Sequence, residues 1–73
     1  MTGEEIRDVA ITGEMIRLGQ LLKIAGLAGS GGEAKTLLAE ESVTVNDAPE
    51  ARRGRQLVRG DVVRVGDAAV RVA

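Results

Sequence analysis

The order of apolar and polar positions predicts one short strand, two helices and a C-terminal part rich in strands. Val9 and Ile11 fall on one alternation within residues 5–12, with Ile6 before them, which favours a short edge strand. From Met15 the spacing becomes helical, and Gly26 is placed to end this first helix as a left-handed cap residue. The buried face of the helix is predicted to contain Met15, Leu18, Leu21, Leu22 and Ala25.

A second helix is predicted to begin in the glycine-rich segment that follows Gly26. Ser30 is followed three residues later by Glu33, which is the spacing of a capping box at a helix start. The inner face of this helix would contain Ala34, Leu37 and Leu38. Beyond it, Val43 and Val45 alternate around a polar residue, which is typical of a strand.

Turn residues divide the remaining chain into further strands. Asn46-Asp47 predicts a turn, and Pro49 keeps the next segment out of a central strand because proline cannot donate a ladder hydrogen bond. Leu57-Val58 leads to a turn at Gly60-Asp61, and residues 62–65 and 69–72 are predicted to form a hairpin around Gly66-Asp67. The predicted order is β-α-α-β-β-β, which belongs to the α+β class.

Size and composition restrict the functions that the chain can have. Its 73 residues are expected to form one domain, residues 1–73. The absence of Cys and His removes thiolate metal sites and the commonest general base, so we expect no metal and no cofactor. Phe, Tyr and Trp are absent too, so the core must be aliphatic and the usual platforms for stacking unpaired bases are missing.

The N-terminal run Met1–Glu5 is acidic and lacks the basic region and apolar stretch of a signal peptide. No apolar stretch approaches the roughly 20 residues needed to span a bilayer. We therefore expect a cytoplasmic protein that makes no membrane contact.

Charge is distributed unevenly along the chain. Residues 1–50 carry four basic and nine acidic side chains, a net charge of −5, whereas residues 51–73 carry six arginines and two aspartates, a net charge of +4. Three of these arginines surround one glycine in Arg52-Arg53-Gly54-Arg55, which we call the arginine loop. Such a cluster indicates contact with phosphate, although it can also be plain solvated surface or pair with acids of the same chain.

Three more basic residues, Arg17, Lys23 and Lys35, lie off the predicted apolar faces of the two helices and can share a surface with the arginine loop. The start of the second helix has two interpretations. It differs from the nucleotide-binding pattern G-x-x-x-x-G-K-[ST] because Glu33 and Ala34 separate Lys35 from the last glycine, so nucleotide hydrolysis is not expected. Either the segment is only a capped helix start, or its amide groups also hold one backbone phosphate.

Several short motifs, taken in order, resemble one known family. They are Arg17-Leu18-Gly19-Gln20-Leu21-Leu22-Lys23, Gly26-Leu27, Ser30-Gly31-Gly32-Glu33-Ala34-Lys35, Val43-Thr44-Val45-Asn46, the arginine loop and Gly60-Asp61. With a core at residues 15–65, they resemble the RNA-binding domain named for small-subunit ribosomal protein S-four, also called the alpha-L motif. The closest resemblance is to its small stand-alone bacterial members of the YbcJ type. It implies two helices packed on a small, bent, mostly antiparallel sheet.

The resemblance also implies RNA binding without catalysis, across the helix pair and the adjoining loop. The contact residues carried over by matching position are Lys23, Ser30, Gly32, Lys35, Arg52, Arg53 and Arg55, and the charge pattern adds Arg17. We therefore predict a monomeric, non-enzymatic protein that recognises structured RNA, ribosomal or transfer RNA, free or in a ribosomal particle, through phosphate and shape contacts. The alternative is a protein-binding module whose arginine loop docks on an acidic partner. A small enzyme is disfavoured because no nucleophile with a neighbouring base is evident.

Overall fold

The computed structural model describes residues 5–73, in which two helices lie beside two β-sheets. Residues 1–4 of the acidic N-terminal run lie outside the described residues. The helices are α1 (Leu18–Ile24) and α2 (Gly31–Glu40), and the strands are β1 (Ile6–Val9), β2 (Ile16–Arg17), β3 (Val43–Val45), β4 (Ala48–Pro49), β5 (Gln56–Leu57), β6 (Val62–Val65) and β7 (Ala68–Val72). The predicted α+β class with two helices and a mostly antiparallel sheet is confirmed.

The larger sheet has five strands in the order β1-β7-β6-β3-β4. All neighbours are antiparallel except β1 and β7, which run parallel with Ile6 opposite Ala69 and Val9 opposite Val72. The predicted N-terminal edge strand is therefore confirmed, over a shorter range than residues 5–12. Pro49 lies in β4 at the other edge, where the lack of an N–H interrupts no hydrogen bond between inner strands.

The turn between β3 and β4 has the predicted residues in the left-handed backbone region. Asn46 has φ 51° and Asp47 has φ 71°, as a two-residue hairpin turn of type I′ requires. The Asn46 side chain also joins this turn to the next one, because its Nδ2 donates to Asp61 Oδ1 at 3.0 Å and its Oδ1 accepts from the Val62 N–H at 2.9 Å. Gly66, with φ 58°, completes the predicted hairpin of β6 and β7.

The first helix begins later than its apolar spacing predicts. The expectation that Met15 starts the helix and faces the core is wrong, because Met15 is 41% exposed and the next two residues form β2. Ile16 and Arg17 pair antiparallel with Leu57 and Gln56 in a separate two-stranded sheet, and Arg17 has the extended angles φ −86° and ψ 149°. Long-range backbone hydrogen bonds therefore override a helical spacing that is present by coincidence.

Both predicted helix signals are confirmed. Gly26, with φ 78°, follows α1, and its N–H donates to the carbonyl oxygen of Lys23 at 3.1 Å. At the start of α2, the Ser30 hydroxyl oxygen accepts from the Glu33 N–H at 3.2 Å, and Glu33 Oε1 accepts from the Gly29 N–H at 2.6 Å. Neither helix of residues 5–73 is long and apolar enough to cross a membrane.

One aliphatic core joins the two helices to the strands. Full burial of a Leu or Val side chain contributes about 1.5–3 kcal/mol, so a few such residues account for much of the stability of a small domain. Leu37 differs from its prediction in being only half-buried. The largest fully buried side chains are Leu18, Leu21, Leu22, Val45, Leu57, Val63, Val70 and Val72.

Candidate nucleic-acid interface

The arginine loop, residues 52–55, is held against the start of α1 by backbone hydrogen bonds. The Leu18 N–H donates to the carbonyl oxygen of Arg55, and the Gly19 N–H donates to that of Arg53, both at 2.9 Å. The first N–H groups of a helix have no partner within the helix, and no side chain caps α1. The loop therefore satisfies helix donors while α1 fixes the position of the loop.

Gly19 makes this close approach possible. A Cβ atom at position 19 would lie 3.3 Å from the Cβ and 3.5 Å from the carbonyl oxygen of Arg53. Carbon atoms in good contact are about 3.5–4.0 Å apart, so even an alanine would press on the loop. The glycine therefore brings the arginine loop and α1 together as one surface.

Three basic side chains converge on a hollow beside this junction, which we call the cationic hollow. Arg17, Lys23 and Arg53 line it and are exposed, and none of them forms a hydrogen bond or ion pair through its side chain with another residue of the 5–73 segment. The hollow has a volume of about 340 Å³, and no carboxylate lines it. Its other lining residues are small or uncharged: Gly19, Gln20, Gly31, Ala34 and Gly54.

This arrangement is suited to an anion. Cations gathered without an acid between them repel one another, and an anionic ligand relieves that repulsion. The guanidinium groups of Arg17 and Arg53 can each bond two phosphate oxygens in one plane, whereas the ammonium of Lys23 acts as a point charge. Residues far apart in sequence thus form one positive surface.

The predicted contact residues at the start of α2 do not all lie at the cationic hollow. Lys35 is exposed, without a side-chain partner among residues 5–73, and follows Gly31, which lines the cationic hollow, by one helical turn. Ser30 and Gly32 instead line a separate hollow. Three glutamates also line that second hollow: Glu33, Glu40 and Glu41. In the described part of the chain, no group of three or more His, Cys, Asp or Glu side chains could hold a metal ion.

Two of the three loop arginines are paired with Glu50. Arg52 Nε lies 3.0 Å from Glu50 Oε2, and Arg55 Nη1 lies 2.8 Å from Oε1. Hydrogen bonds from Arg52 first, and then Arg55, lower the pKa of the Glu50 carboxyl to about 2. The same contact raises the pKa of the Arg52 guanidinium above its ordinary value. Pairing with an acid of the same chain, which the sequence left open, therefore applies to Arg52 and Arg55.

The remaining arginines form contacts within the fold. Arg71 Nε lies 2.8 Å from an Asp8 carboxylate oxygen, and Arg64 Nη1 lies 2.6 Å from Asp47 Oδ1. Arg7 donates to the carbonyl oxygen of Ala25. Arg59 Nη2 donates to that of Ile11 at 2.9 Å, and it does so from the turn after β5. These side chains support the sheet and its loops.

Two residues that shape the interface were missed by the sequence reasoning. Gly19 had a signal, because an isolated glycine inside a helical pattern often has a packing reason. Glu50 had a weaker signal, because an acid two residues before Arg52 is close enough in sequence to pair with it. Both act on the arginine loop, Gly19 by allowing contact with α1 and Glu50 by pairing with Arg52 and Arg55.

The helix pair, with the arginine loop docked on its first helix, presents a positively charged surface of the kind that attracts anions. The chain belongs to the S4 domain family, whose signature matches residues 9–73. The match includes both helices and the arginine loop, and it confirms the resemblance found in the sequence. Family membership supports an RNA-binding role.

Two curated relatives share parts of this sequence. The chain is 54% identical over 57 residues to the "Probable ribosome maturation protein RlbA" of Bacillus subtilis (strain 168), which covers 78% of this chain and 80% of that protein. It is 46% identical over 43 residues to a tyrosine–tRNA ligase of Ruegeria pomeroyi. The second similarity covers 59% of this chain but 10% of the ligase, so it concerns one small segment of a much larger enzyme.

Proposed function

We propose that this domain binds structured RNA, without catalysis, by seating backbone phosphates in the cationic hollow. The observation that carries the proposal is the convergence of Arg17, Lys23 and Arg53 on a hollow that no carboxylate lines. Lys35, on the adjoining turn of α2, supplies a fourth cation. Phosphate contacts of this kind position a protein on RNA and provide most of the affinity.

The RNA is proposed to be folded or double-stranded, because the chain has no aromatic side chain on which unpaired bases could stack. The names of the two relatives refer to ribosome maturation and to a tRNA ligase. On that basis the proposed partner is ribosomal RNA in a maturing cytoplasmic ribosomal particle. Transfer RNA offers the same phosphate chemistry and is the second source to test.

The predicted contact residues are proposed to contribute unequally. Arg17, Lys23, Lys35 and Arg53 come first, because their charges have no partner among residues 5–73. Arg52 and Arg55 contribute less, since each shares its charge with Glu50. The α2-start residues Ser30 and Gly32 are proposed to contact RNA only at the margin, because the hollow that they line also contains three glutamates.

The experiment is a filter-binding titration with labelled ribosomal RNA and, separately, labelled tRNA. The test variant carries Arg17→Gln and Lys23→Gln. The matched control carries Arg64→Gln and Arg71→Gln, which changes the net charge equally but removes two ion pairs on β6 and β7, each worth about 0–1 kcal/mol.

The test variant should bind about tenfold or more weakly at low salt, because each phosphate that is no longer neutralised keeps its counterions and so contributes no counterion release. The control should bind about twofold more weakly. Equal effects in both variants would contradict binding at the cationic hollow, and absence of RNA binding by the unmodified domain would overturn the function itself. A pull-down whose protein partners persist after nuclease treatment, with no RNA retained, would favour the protein-binding alternative.

A further inference from the structure

Both carboxylate oxygens of Glu50 are occupied by donors from the arginine loop. Oε2 accepts from the Arg52 backbone N–H at 3.1 Å and from Arg52 Nε at 3.0 Å. Oε1 accepts from Arg52 Nη2 at 3.2 Å and from Arg55 Nη1 at 2.8 Å. The side chain of Glu50 is only 8% exposed, whereas that of Arg52 is 76% exposed. The acid therefore lies beneath the arginines and leaves the outer side of Arg52 open to solvent.

Backbone hydrogen bonds hold the arginine loop and the adjoining Glu50 from two sides, β3 and α1. On one side, the Glu50 N–H donates to the carbonyl oxygen of Val43 at 3.0 Å, which ties the residue to β3. On the other, Gly19 donates to the carbonyl oxygen of Arg53. Between these anchors, the Arg55 N–H donates to the carbonyl oxygen of Arg52 at 3.3 Å and closes a turn with Arg53 near its tip. The Glu50 carboxylate is the only side chain of residues 5–73 that holds this turn through hydrogen bonds.

We propose that Glu50 is a positioning residue for RNA binding: its carboxylate, placed between Arg52 and Arg55, raises RNA affinity, because it orders the arginine loop with Arg53 facing the cationic hollow. This inference rests on the proposed function. Long arginine side chains and a glycine-containing turn have many conformations when free, and a loop already held in one of them loses less entropy on binding.

A purely electrostatic role for Glu50 predicts the opposite effect. A carboxylate beside a phosphate site repels the ligand, so its removal would strengthen binding. The two roles therefore differ in the sign of one measurable change. Glu50→Gln removes the charge with little change of shape, and Glu50→Asp keeps the charge but shortens the side chain by one methylene.

The test compares the RNA dissociation constants of the unmodified domain, both Glu50 variants and a Glu40→Gln control. Glu40 is exposed at the end of α2 and lines the other hollow, so its replacement changes the net charge equally without touching the arginine loop. Glu50→Gln is expected to bind RNA about three- to tenfold more weakly, since two side chains and a turn must be reordered. Glu40→Gln should bind as well as the unmodified domain or slightly better.

Two further readouts separate positioning from loss of the fold. Thermal unfolding shows whether each variant is folded at the assay temperature, and amide hydrogen exchange at Gly19 reports on its bond to Arg53 without any RNA. Glu50→Asp should also bind more weakly and should speed exchange at Gly19, although its charge is retained. The inference is overturned if Glu50→Gln binds RNA as tightly as Glu40→Gln, or if Glu50→Asp matches the unmodified domain. Absence of RNA binding by the unmodified domain overturns the proposed function together with this inference.

Discussion

Replacement of Arg53 by Gln should change how steeply RNA binding depends on salt. Arg53 lies at the junction of the arginine loop and α1, and its side chain has no partner within residues 5–73. The substitution removes one proposed phosphate contact but leaves the backbone hydrogen bond to Gly19 possible. The expected effect is therefore on binding, with little change in the free energy of unfolding.

The magnitude follows from the number of unpaired cations on this surface. Arg17, Lys23, Lys35 and Arg53 make four, and each phosphate neutralised on a duplex contributes about −0.9 to the slope of log K against log salt. The unmodified domain should have a slope of about −3.6, and the Arg53→Gln variant about −2.7. Between 50 and 200 mM salt, affinity should then fall about 150-fold for the former and about 40-fold for the latter.

The assay is a series of filter-binding titrations at four or more salt concentrations on one structured RNA. Arg71→Gln serves as the control, because it removes the same charge from a side chain that pairs with Asp8 on the sheet. Its slope should equal that of the unmodified domain. If Arg53→Gln keeps the full slope, or if both variants change it equally, the cationic hollow is not where the phosphates bind.

Three further predictions concern stability. Leu57→Ala should lower the free energy of unfolding by about 2–5 kcal/mol in a denaturant titration, because Leu57 is fully buried in the β2–β5 pair; a decrease below about 1 kcal/mol would contradict this. Asp47→Gly should leave the free energy of unfolding unchanged or raise it by up to about 1 kcal/mol. A glycine adopts φ 71° without strain, and the lost ion pair with Arg64 lies at the surface; a clear decrease would refute the prediction. Because the pKa of Glu50 is lower in the folded state, its stabilising contribution is complete above pH 4.5 and is lost as the pH falls towards 2. In denaturant titrations across that range, the free energy of unfolding should fall less steeply with pH for Glu50→Gln than for the unmodified domain. Identical falls in the two proteins would count against the pairing of Glu50 with the arginines.

Elements defined by local chemistry could be predicted from the sequence. The cap of α2 at Ser30, the end of α1 near Gly26 and the turn at Asn46-Asp47 each depend on neighbours within a few residues. The pairing of β2 with β5 could not be predicted. Each of these strands has two residues, and only hydrogen bonds between distant segments define them, so the periodicity around Met15 favoured a longer helix.

The candidate site was predictable in composition but not in arrangement. The sequence showed which side chains are cationic, and the helical pattern placed Arg17 and Lys23 off the core. It could not show that Glu50 would pair with two arginines while Arg53 remained unpaired, because that difference depends on the direction in which the loop turns. Charge counts along a sequence treat these arginines alike, whereas their contacts distinguish them.

The parallel pair of β1 and β7 bears on the order in which the molecule assembles. It joins distant segments, as shown by the bond between Asp8 and Arg71, which are 63 residues apart. Closing so large a loop costs entropy before any contact forms, whereas the β6–β7 hairpin closes over a two-residue turn. We expect β1 to dock after the rate-limiting step of folding. Substitutions at Ile6 or Val9 should therefore speed unfolding and leave the folding rate nearly unchanged, which makes this edge the last part of the sheet to form and the first to open.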